Sequence, residues 1–330
     1  MKQKSTLLSF TFFLISNIAF SQESNVIFKE QNIRLPNSIG NSKTPFEFSS
    51  LAEWKNEYIL LIPAVKKPTK NFNIYMDTIY AIKKKRIIQF INDTSKKKDK
   101  KDLEDKDLLK ILFNRSQIDN ILFKIDSEYD GIEGTAIIGN DIYFSIESGS
   151  EKCYILKGKI DDTDTLHPVI SLENNTITLF KPYKSTNAGF ESFAYLNFGG
   201  KPQLLAIFEN EVSKCDNNKC DGYIVDLSKN PIVPQPFKIY RPDEKGMRFA
   251  DICVKEENEI YGIWSAQWHR ARVVKFDNKT KKFTVIGKVD KEGEEFNWEG
   301  IVGFEKGVLM VTDNRFNSTT SSRLSYFSLE

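Results

Sequence analysis

Acidic residues recur at one position of a repeated sequence pattern, and carboxylates serve both acid–base catalysis and the binding of hard cations. The clearest copy is FNWEGIVGFEKGVLMVTDNRF, residues 296–316, in which Glu299 opens one apolar run and Asp313 closes the next. Four other stretches show the same order of apolar residue, acid, apolar run, polar turn and second apolar run. The acids that open the five copies are Glu47, Glu133, Glu191, Asp251 and Glu299, at spacings of 86, 58, 60 and 48 residues.

Each copy is typical of an antiparallel hairpin, which returns the chain to the end where it began. A residue at the start of the first strand and one at the end of the second therefore share one end of the hairpin. The pairs predicted in this way are Glu133 with Glu147, Glu191 with Glu209, and Glu299 with Asp313. If the hairpins surround one axis, these carboxylates form a ring.

Carboxylates packed this closely repel one another, so they need a compensating cation or they take up protons. Calcium is the first candidate cation, because it binds about six to eight oxygen ligands. The predicted metal ligands are Glu133, Glu147, Glu191, Glu209, Asp251, Glu299 and Asp313. Arginine is the second candidate, supplied by Arg248, Arg270 or Arg315 beside these strand ends. For any single acid, hydrogen bonds to main-chain N–H groups of the next unit are the structural alternative.

Tryptophans cluster near the same strand ends. Trp264, Trp268 and Trp298 suit a sugar, a lipid head group or an organic phosphate, although core packing is the commoner reason for a tryptophan. With Arg248 and Arg315, they complete the predicted ligand-binding set. The chain has no Gly-X-Ser-X-Gly nucleophile motif, no zinc motif and no phosphate-binding glycine loop.

The elements that must position these residues are short strands. Two further runs rich in Val, Ile, Phe and Tyr follow three of the hairpins, those that begin near Glu133, Glu191 and Asp251, which gives four strands per unit. Four-stranded units at spacings close to the ~40–50 residues of known blades predict an all-β fold, a β-propeller. Five blades are recognisable, and a degenerate sixth could lie between Val65 and Tyr129. A solenoid or a two-sheet sandwich is the alternative, but a sandwich does not explain the repeated acid.

The two ends of the chain are predicted to close the ring. The last unit ends with too few strands, so a strand at about Val26–Leu35 should pair with Leu324–Leu329 and remove an exposed sheet edge. The charged stretch at residues 93–113 is predicted to be a solvated insertion in this single domain, not a core element.

The first 21 residues are typical of a secretory signal peptide, with Lys2 and Lys4 before an apolar run and small residues before Gln22. We therefore expect an exported chain, periplasmic or secreted, that spans residues 22–330 and has no other membrane segment. Removal of the signal peptide, with Lys2 and Lys4, lowers the net charge from +2 to zero. A neutral chain argues against a nucleic-acid partner. We expect a monomer that binds a small molecule or a cell-envelope ligand.

The four cysteines fit an oxidising compartment. Cys215 and Cys220 flank a turn-forming stretch and are predicted to form a disulfide; a zinc site is the alternative, but no second Cys or His pair stands nearby. Cys153 and Cys253 lie within apolar runs and are predicted to be buried thiols.

The stretches GIEGTAIIGNDIYFSIES and NWEGIVGFEKGVLMVTDN resemble a known pattern of an acid-Gly strand, a short turn, an apolar strand and a terminal acid. This pattern resembles the repeat of the SdiA-regulated propellers and of the related phytase-like (esterase-like) propellers. The resemblance implies a secreted or periplasmic propeller that binds calcium at its axial acids. The matching positions are Glu133, Glu147, Glu191, Glu209, Glu299 and Asp313. The third hairpin departs from the pattern at Ser192, the fourth ends on Ser265, and the first ends near Pro63.

Two functions are consistent with these residues. The first is a metal-stabilised propeller that binds a ligand or an envelope partner. The second is a metal-dependent hydrolase of phosphoesters or carboxylic esters, with Glu133 or Glu299 as the base and His269 as a further catalytic candidate.

Overall fold

The computed structural model describes residues 26–40, 47–64, 78–93, 103–114, 117, 121, 124–125, 129–182, 189–198, 200–209, 219–242, 247–256, 259–266, 270–277, 279–289, 296–313 and 322–330. These residues form five antiparallel meanders of four strands each, named blades A to E. Blade A contains β2 (Phe48–Trp54), β3 (Tyr58–Pro63), β4 (Thr78–Lys83) and β5 (Leu108–Phe113). Blade B contains β6 (Tyr129–Ile138), β7 (Asp141–Ser148), β8 (Lys152–Asp161) and β9 (Val169–Phe180).

The remaining three blades repeat this order. Blade C contains β10 (Ser192–Phe198), β11 (Lys201–Ile207), β12 (Lys219–Asp226) and β13 (Gln235–Tyr240). Blade D contains β14 (Arg248–Val254), β15 (Ile260–Ala266), β16 (Arg270–Asp277) and β17 (Lys282–Lys288). Blade E contains β18 (Trp298–Phe304), β19 (Gly307–Thr312), β20 (Leu324–Ser328) and β1 (Glu30–Ile33), which comes from the start of the chain.

The core lies between the blades. Five hydrophobic clusters are present among the described residues, one for each pair of neighbouring blades. The inner strands β2, β6, β10, β14 and β18 each contact the inner strands on both sides, so they surround one axis. A sandwich would instead have one core between two sheets. The prediction of a β-propeller is therefore confirmed.

The sheets are joined differently from the prediction of separate blades. Outer strands β5 and β9 pair in parallel at Leu112 and Phe113, and β13 and β17 pair at Tyr240. Hydrogen bonding therefore links blades A and B, and blades C and D, into two eight-stranded sheets, while blade E stays a four-stranded sheet. This pairing covers a short part of the outer edge of each of these four blades, where main-chain groups would otherwise be unpaired.

The segment proposed for a sixth blade completes blade A. Its described residues supply β4 and β5, with helix α2 (Lys84–Asn92) and a 3₁₀ turn (Asp105–Asp107) between them. Leu108–Phe113 therefore belongs to the core rather than to a solvated insertion, since Ile111 is fully buried. Alternation in LLKILF buries one face of an edge strand and leaves Lys110 exposed. Residues 94–102, the centre of the charged stretch, lie outside the described residues.

The ring is closed by the N-terminal strand, as predicted. β1 pairs with β20 from Glu30–Phe327 to Ile33–Leu324. The chain before β1 also reaches blade D, where the Phe28 N–H donates to the Lys288 carbonyl at 2.9 Å. The Phe28 ring covers Gly287 so closely that a Cβ atom there would lie 2.3 Å from it. The N-terminal segment thus joins blades D and E. A short helix α1 (Asn37–Gly40) follows β1.

Two further sequence predictions concern cysteines and membranes. Cys153 and Cys253 are buried thiols in blades B and D, and burial raises the pKa of both, to about 12 for Cys153. Cys220 is buried, but Cys215 lies outside the described residues, so the disulfide remains a prediction. No helix within the described parts of the chain is long and apolar enough to cross a membrane.

Candidate functional site

The first hairpin of every blade opens at the same end of the central channel. Main-chain bonds join the hairpin ends, for example Asp313 N–H to the Asn297 carbonyl at 2.8 Å and Glu209 N–H to the Gly189 carbonyl at 3.1 Å. In blade B the strand pairing sets Glu147 opposite Gly131. We call this end the acidic mouth and define it by Glu47, Glu133, Glu147, Glu191, Glu209, Arg248, Asn297, Glu299 and Asp313.

The hairpin ends reveal the true register of the repeat. Four inner strands carry a bulged residue close to their start: Ser49, Glu133, Ala250 and Glu299. Glu191 stands just before the paired part of β10, two residues after Gly189. A bulge adds one residue to a strand and re-aims its side chain. The equivalent acids are therefore Glu133, Glu191 and Glu299.

Glu47 and Asp251 are out of this register, which corrects the sequence alignment of the five acids. Glu47 stands two residues before the bulge of blade A, and Asp251 stands one residue after the bulge of blade D. The apolar pattern does not reveal such a shift, because the bulge lies within the first residues of each strand and too few paired residues precede it to show a change of phase.

In blades B and E the residue after the bulge is glycine, and another blade packs against it. A Cβ atom at Gly300 would lie 2.8 Å from the carbonyl carbon of Ser50 in blade A. A Cβ atom at Gly134 would lie 2.6 Å from the carbonyl oxygen of Glu191 in blade C. The acid-Gly dipeptide of the sequence therefore combines a channel-facing acid with the close approach of a neighbouring main chain.

Asp251 has a structural role. Its side chain is buried and accepts hydrogen bonds from the N–H groups of Ile252 (2.8 Å) and Ile301 (3.0 Å) and from the Ser50 hydroxyl (3.4 Å). Burial raises its pKa well above the usual value, although the main-chain donors oppose this effect. Asp251 thus joins blades A, D and E. Its hydrogen bonds to main-chain N–H groups are the structural alternative given above for a single acid, rather than the predicted role of a metal ligand.

Arg248 lies at the centre of the acids. Its Nη1 is 3.1 Å from both carboxylate oxygens of Glu191, and its Nη2 is 3.1 Å from Oε1 of Glu299. Nη1 also forms an ion pair with Glu209. Burial opposes its charge, but Glu191, Glu299 and Glu147 outweigh that effect and raise its pKa above the usual range. The cation that compensates these acids is therefore arginine, the second of the two predicted candidates.

Glu299 holds a proton at neutral pH. Burial raises the pKa of its carboxyl group to about 8, and repulsion by Glu191 and Asp313 adds to this shift. The Arg248 guanidinium and a hydrogen bond from the Asn297 amide act in the opposite direction. Glu299, which the sequence predicted as a base, is therefore protonated at pH 7 and has the form of a general acid. The other carboxyl groups of the mouth lie at the same end of the channel.

The remaining predicted residues are distributed as follows. Glu147 and Asp313 are buried in the mouth, and Glu133 is half-buried at its bulge. Arg270 is exposed at the start of β16. Trp268, His269 and Arg315 lie outside the described residues.

The two described tryptophans of the predicted ligand-binding set belong to the core. Trp264 is fully buried between blades C and D, where it packs edge-on against Phe249. Trp298 is 1% exposed and packs edge-on against Phe327 between blades D and E. Neither ring has a face open to a ligand. Core packing, the commoner reason for a tryptophan, therefore applies to both.

Two buried cations at the same end of the blades were missed by the sequence reasoning. Lys181 follows the outer strand of blade B, and Arg241 follows the outer strand of blade C. Both belong to a short repeat of an aromatic residue, a cation and proline, FKP at 180–182 and YRP at 240–242. That repeat was a visible signal. Asn297 was missed because an amide in the stretch FNWEG has no distinctive pattern.

The described residues do not fit a calcium ion at the centre of the mouth. Calcium requires about six to eight oxygen ligands. Of the seven predicted ligands, Glu191, Glu209 and Glu299 bind Arg248, and Asp251 binds main-chain N–H groups. No three Asp, Glu, His or Cys side chains are arranged to hold a metal ion in the described parts of the chain.

Comparisons with known proteins do not add to the assignment of the site. No protein-family model matches the chain, and no curated protein matches it. A GH43 β-xylosidase/α-arabinofuranosidase from a compost microbial metagenome is 10% identical, with 90% of this chain and 95% of that one covered and a TM-score of 0.48. Regucalcin from Agrobacterium tumefaciens, described as a calcium-binding protein, is 9% identical, with coverages of 93% and 97% and a TM-score of 0.46. Trypanosoma rangeli sialidase is 8% identical with a TM-score of 0.41, and the match covers 93% of this chain but only 60% of that protein's length.

Proposed function

We propose that this protein is an exported, monomeric β-propeller that binds a small organic cation at the acidic mouth. Seven carboxyl groups line the mouth: Glu47, Glu133, Glu147, Glu191, Glu209, Glu299 and Asp313. Arg248 binds three of them, Glu191, Glu209 and Glu299, and the observation that supports the proposal is this gathering of acidic side chains at one end of the channel in the described part of the chain. A channel lined by one sign of charge attracts ligands of the other sign. The envelope location rests on the signal-like first 21 residues.

Arg248 has a positioning role in this proposal. It holds Glu191, Glu209 and Glu299 in place from three sides and neutralises part of their repulsion. A ligand cation would then meet a preorganised set of acceptors. Sugars and lipid head groups lose the support of Trp264 and Trp298, whose rings are buried in the core, while Trp268 lies outside the described residues.

The test compares amines with matched neutral compounds. Isothermal titration would measure binding of putrescine against 1,4-butanediol, and of glucosamine against glucose. We expect heat of binding from the amine of at least one pair and none from its neutral partner, and weaker binding in Asp313→Asn, which removes one negative charge. Equal behaviour of both members of each pair would refute the proposal.

Calcium binding and membership in the SdiA-regulated or phytase-like propellers remain proposals made from the sequence. Family membership rests on the sequence resemblance, and calcium binding rests also on the predicted ring of carboxylates. Calcium at the centre of the mouth would require Arg248 to leave its three acids. Titration with calcium chloride, in parallel with the amines, tests the ion directly.

Hydrolysis is the second candidate, and the protonated state of Glu299 favours it. A buried carboxylic acid beside ionised carboxylates can protonate a leaving group while a partner activates water. The assay uses 4-nitrophenyl phosphate and 4-nitrophenyl butyrate with and without chelator. Activity that Glu299→Gln abolishes would support hydrolysis, and the absence of activity on both substrates would speak for binding alone.

A further inference from the structure

Arg241 is a buried cation outside the Arg248 cluster. It directly follows β13 of blade C, and only 3% of its surface is exposed. Its guanidinium carbon lies 5.7 Å from the ring centre of Trp264 in blade D, so the side chain crosses the interface between the two blades. A guanidinium over an indole face gains a modest cation–π attraction.

The polar atoms of this pair have no acceptors. Within the described residues, Nε and Nη1 of Arg241 are buried without a hydrogen-bond partner, and no carboxylate lies within ion-pairing distance of the guanidinium. The indole Nε1 of Trp264 is also buried without an acceptor. A buried charge without a hydrogen-bond acceptor is costly, and each unmade hydrogen bond of a buried donor adds to that cost.

The equivalent position in blade B shows that this cation need not lack a partner. Lys181 occupies the same place after β9, and its ammonium group donates to the main-chain carbonyl of Ser148. Blade B thus satisfies its buried cation from within the protein, whereas Arg241 of blade C and Trp264 of blade D keep buried donors without acceptors in the described part of the chain.

We propose that Arg241 and Trp264 form a subsite for an oxyanion, a carboxylate or a phosphate group of a ligand, between blades C and D. The donors are of the kind that such a group accepts: a planar guanidinium and an indole N–H. This site does not depend on the proposed binding of cations at the acidic mouth, because none of the mouth acids pairs with Arg241.

The experiment measures anion-dependent stability. Thermal unfolding of the wild type would be recorded in sodium phosphate, sodium acetate and sodium chloride at equal ionic strength and pH. We expect a higher Tm in phosphate or acetate than in chloride, and the larger of the two shifts identifies the preferred group. Arg241→Gln should lose this anion-dependent gain, with a Kd for that anion raised at least about tenfold, as expected for the loss of one charge-assisted hydrogen bond.

Two further variants keep the test decisive. Trp264→Phe retains the buried ring and removes only the indole N–H, so it should weaken the gain even if Arg241→Gln does not fold. Lys181→Gln is the matched control, since it removes the equivalent cation of blade B and should retain the full gain. The proposal is wrong if the wild type shows no gain over chloride, or if Trp264→Phe and every folded Arg241 variant show the same gain as the wild type.

Discussion

The guanidinium of Arg248 in blade D lies 3.1 Å from the carboxyl group of Glu299 in blade E, so one polar contact joins neighbouring blades at the acidic mouth. This contact does not keep Glu299 ionised. Burial and the repulsion of Glu191 and Asp313 prevail over Arg248, and the pKa of Glu299 is about 8. Glu299 therefore changes charge close to physiological pH, which leads to the first prediction.

Stability should depend on pH through Glu299. Between the pKa of its unfolded form, about 4.5, and that of the folded form, about 8, the folded state keeps a proton that the unfolded state has released. Stability therefore falls as pH rises through this window, at up to about 1.4 kcal/mol per pH unit, and is constant above it. Urea unfolding from pH 5 to 9 should show the wild type losing stability relative to Glu299→Gln.

A second variant tests the cause of that shift. Asp313→Asn removes one of the repelling carboxylates, so the upper end of the pH window should move to lower pH. A difference between wild type and Glu299→Gln that does not change from pH 5 to 9 would contradict the assignment of the raised pKa to Glu299.

The acid-Gly dipeptide is predicted to be essential for blade packing. Gly300→Ala places a Cβ atom 2.8 Å from the Ser50 carbonyl carbon and 2.9 Å from the Leu51 nitrogen, and a main chain cannot rotate away as a side chain does. We expect a loss of at least about 2 kcal/mol in the free energy of unfolding. Gly303→Ala on the same strand is the control, because its new Cβ atom meets mainly the Lys255 side chain, at 3.0 Å. Equal losses in both variants would mean that approach of the main chain is not the reason for glycine.

Much of the fold could be predicted from local patterns. The hairpin over residues 296–316 is visible because each strand alternates or is uniformly apolar and a polar turn divides the two. The closing strand was predictable because the last unit lacked a partner. Strand β5 was not, because six residues after a charged stretch carry too little pattern to separate an edge strand from an insertion.

The site was only partly predictable. Glu299 and Asp313 occupy the mouth because a hairpin places its two ends together, which is a local consequence of sequence. The function of Arg248 depends on Glu191 and Glu299, 57 and 51 residues away, so no local pattern contains it. The structural role of Asp251 depends on a bulge of one residue at the start of β14, a strand that shows no regular alternation to record the shift.

Ring closure should depend on the N-terminal segment before β1. Phe28 is 9% exposed, its ring covers Gly287, and its main chain binds Lys288. Phe28→Ala should lower the free energy of unfolding by about 3 kcal/mol, the usual cost of removing a buried aromatic side chain. Ile27→Ala is the control, since the Ile27 side chain is 65% exposed, and we expect a loss below about 1 kcal/mol. A Phe28 variant as stable as the Ile27 variant would show that this segment does not hold the ring.

The identity of the cation at the mouth is tested by removing Arg248. Arg248→Gln leaves Glu191, Glu209 and Glu299 together without their shared positive charge, so we expect a loss of roughly 3–5 kcal/mol, as for other broken buried ion pairs. Thermal and urea unfolding would be measured with calcium and with chelator. In the wild type we expect the same stability with calcium and with chelator, because the guanidinium occupies the centre of the mouth.

In Arg248→Gln, calcium should restore part of the lost stability, since the freed carboxylates then have room for a hard cation. Arg270→Gln removes an exposed arginine and should change neither quantity. A calcium-dependent gain in the wild type, about 2.7 kcal/mol at a hundredfold excess over Kd, would show instead that the ion binds beside Arg248. Unchanged stability of Arg248→Gln in chelator would show that the guanidinium does not hold these acids together.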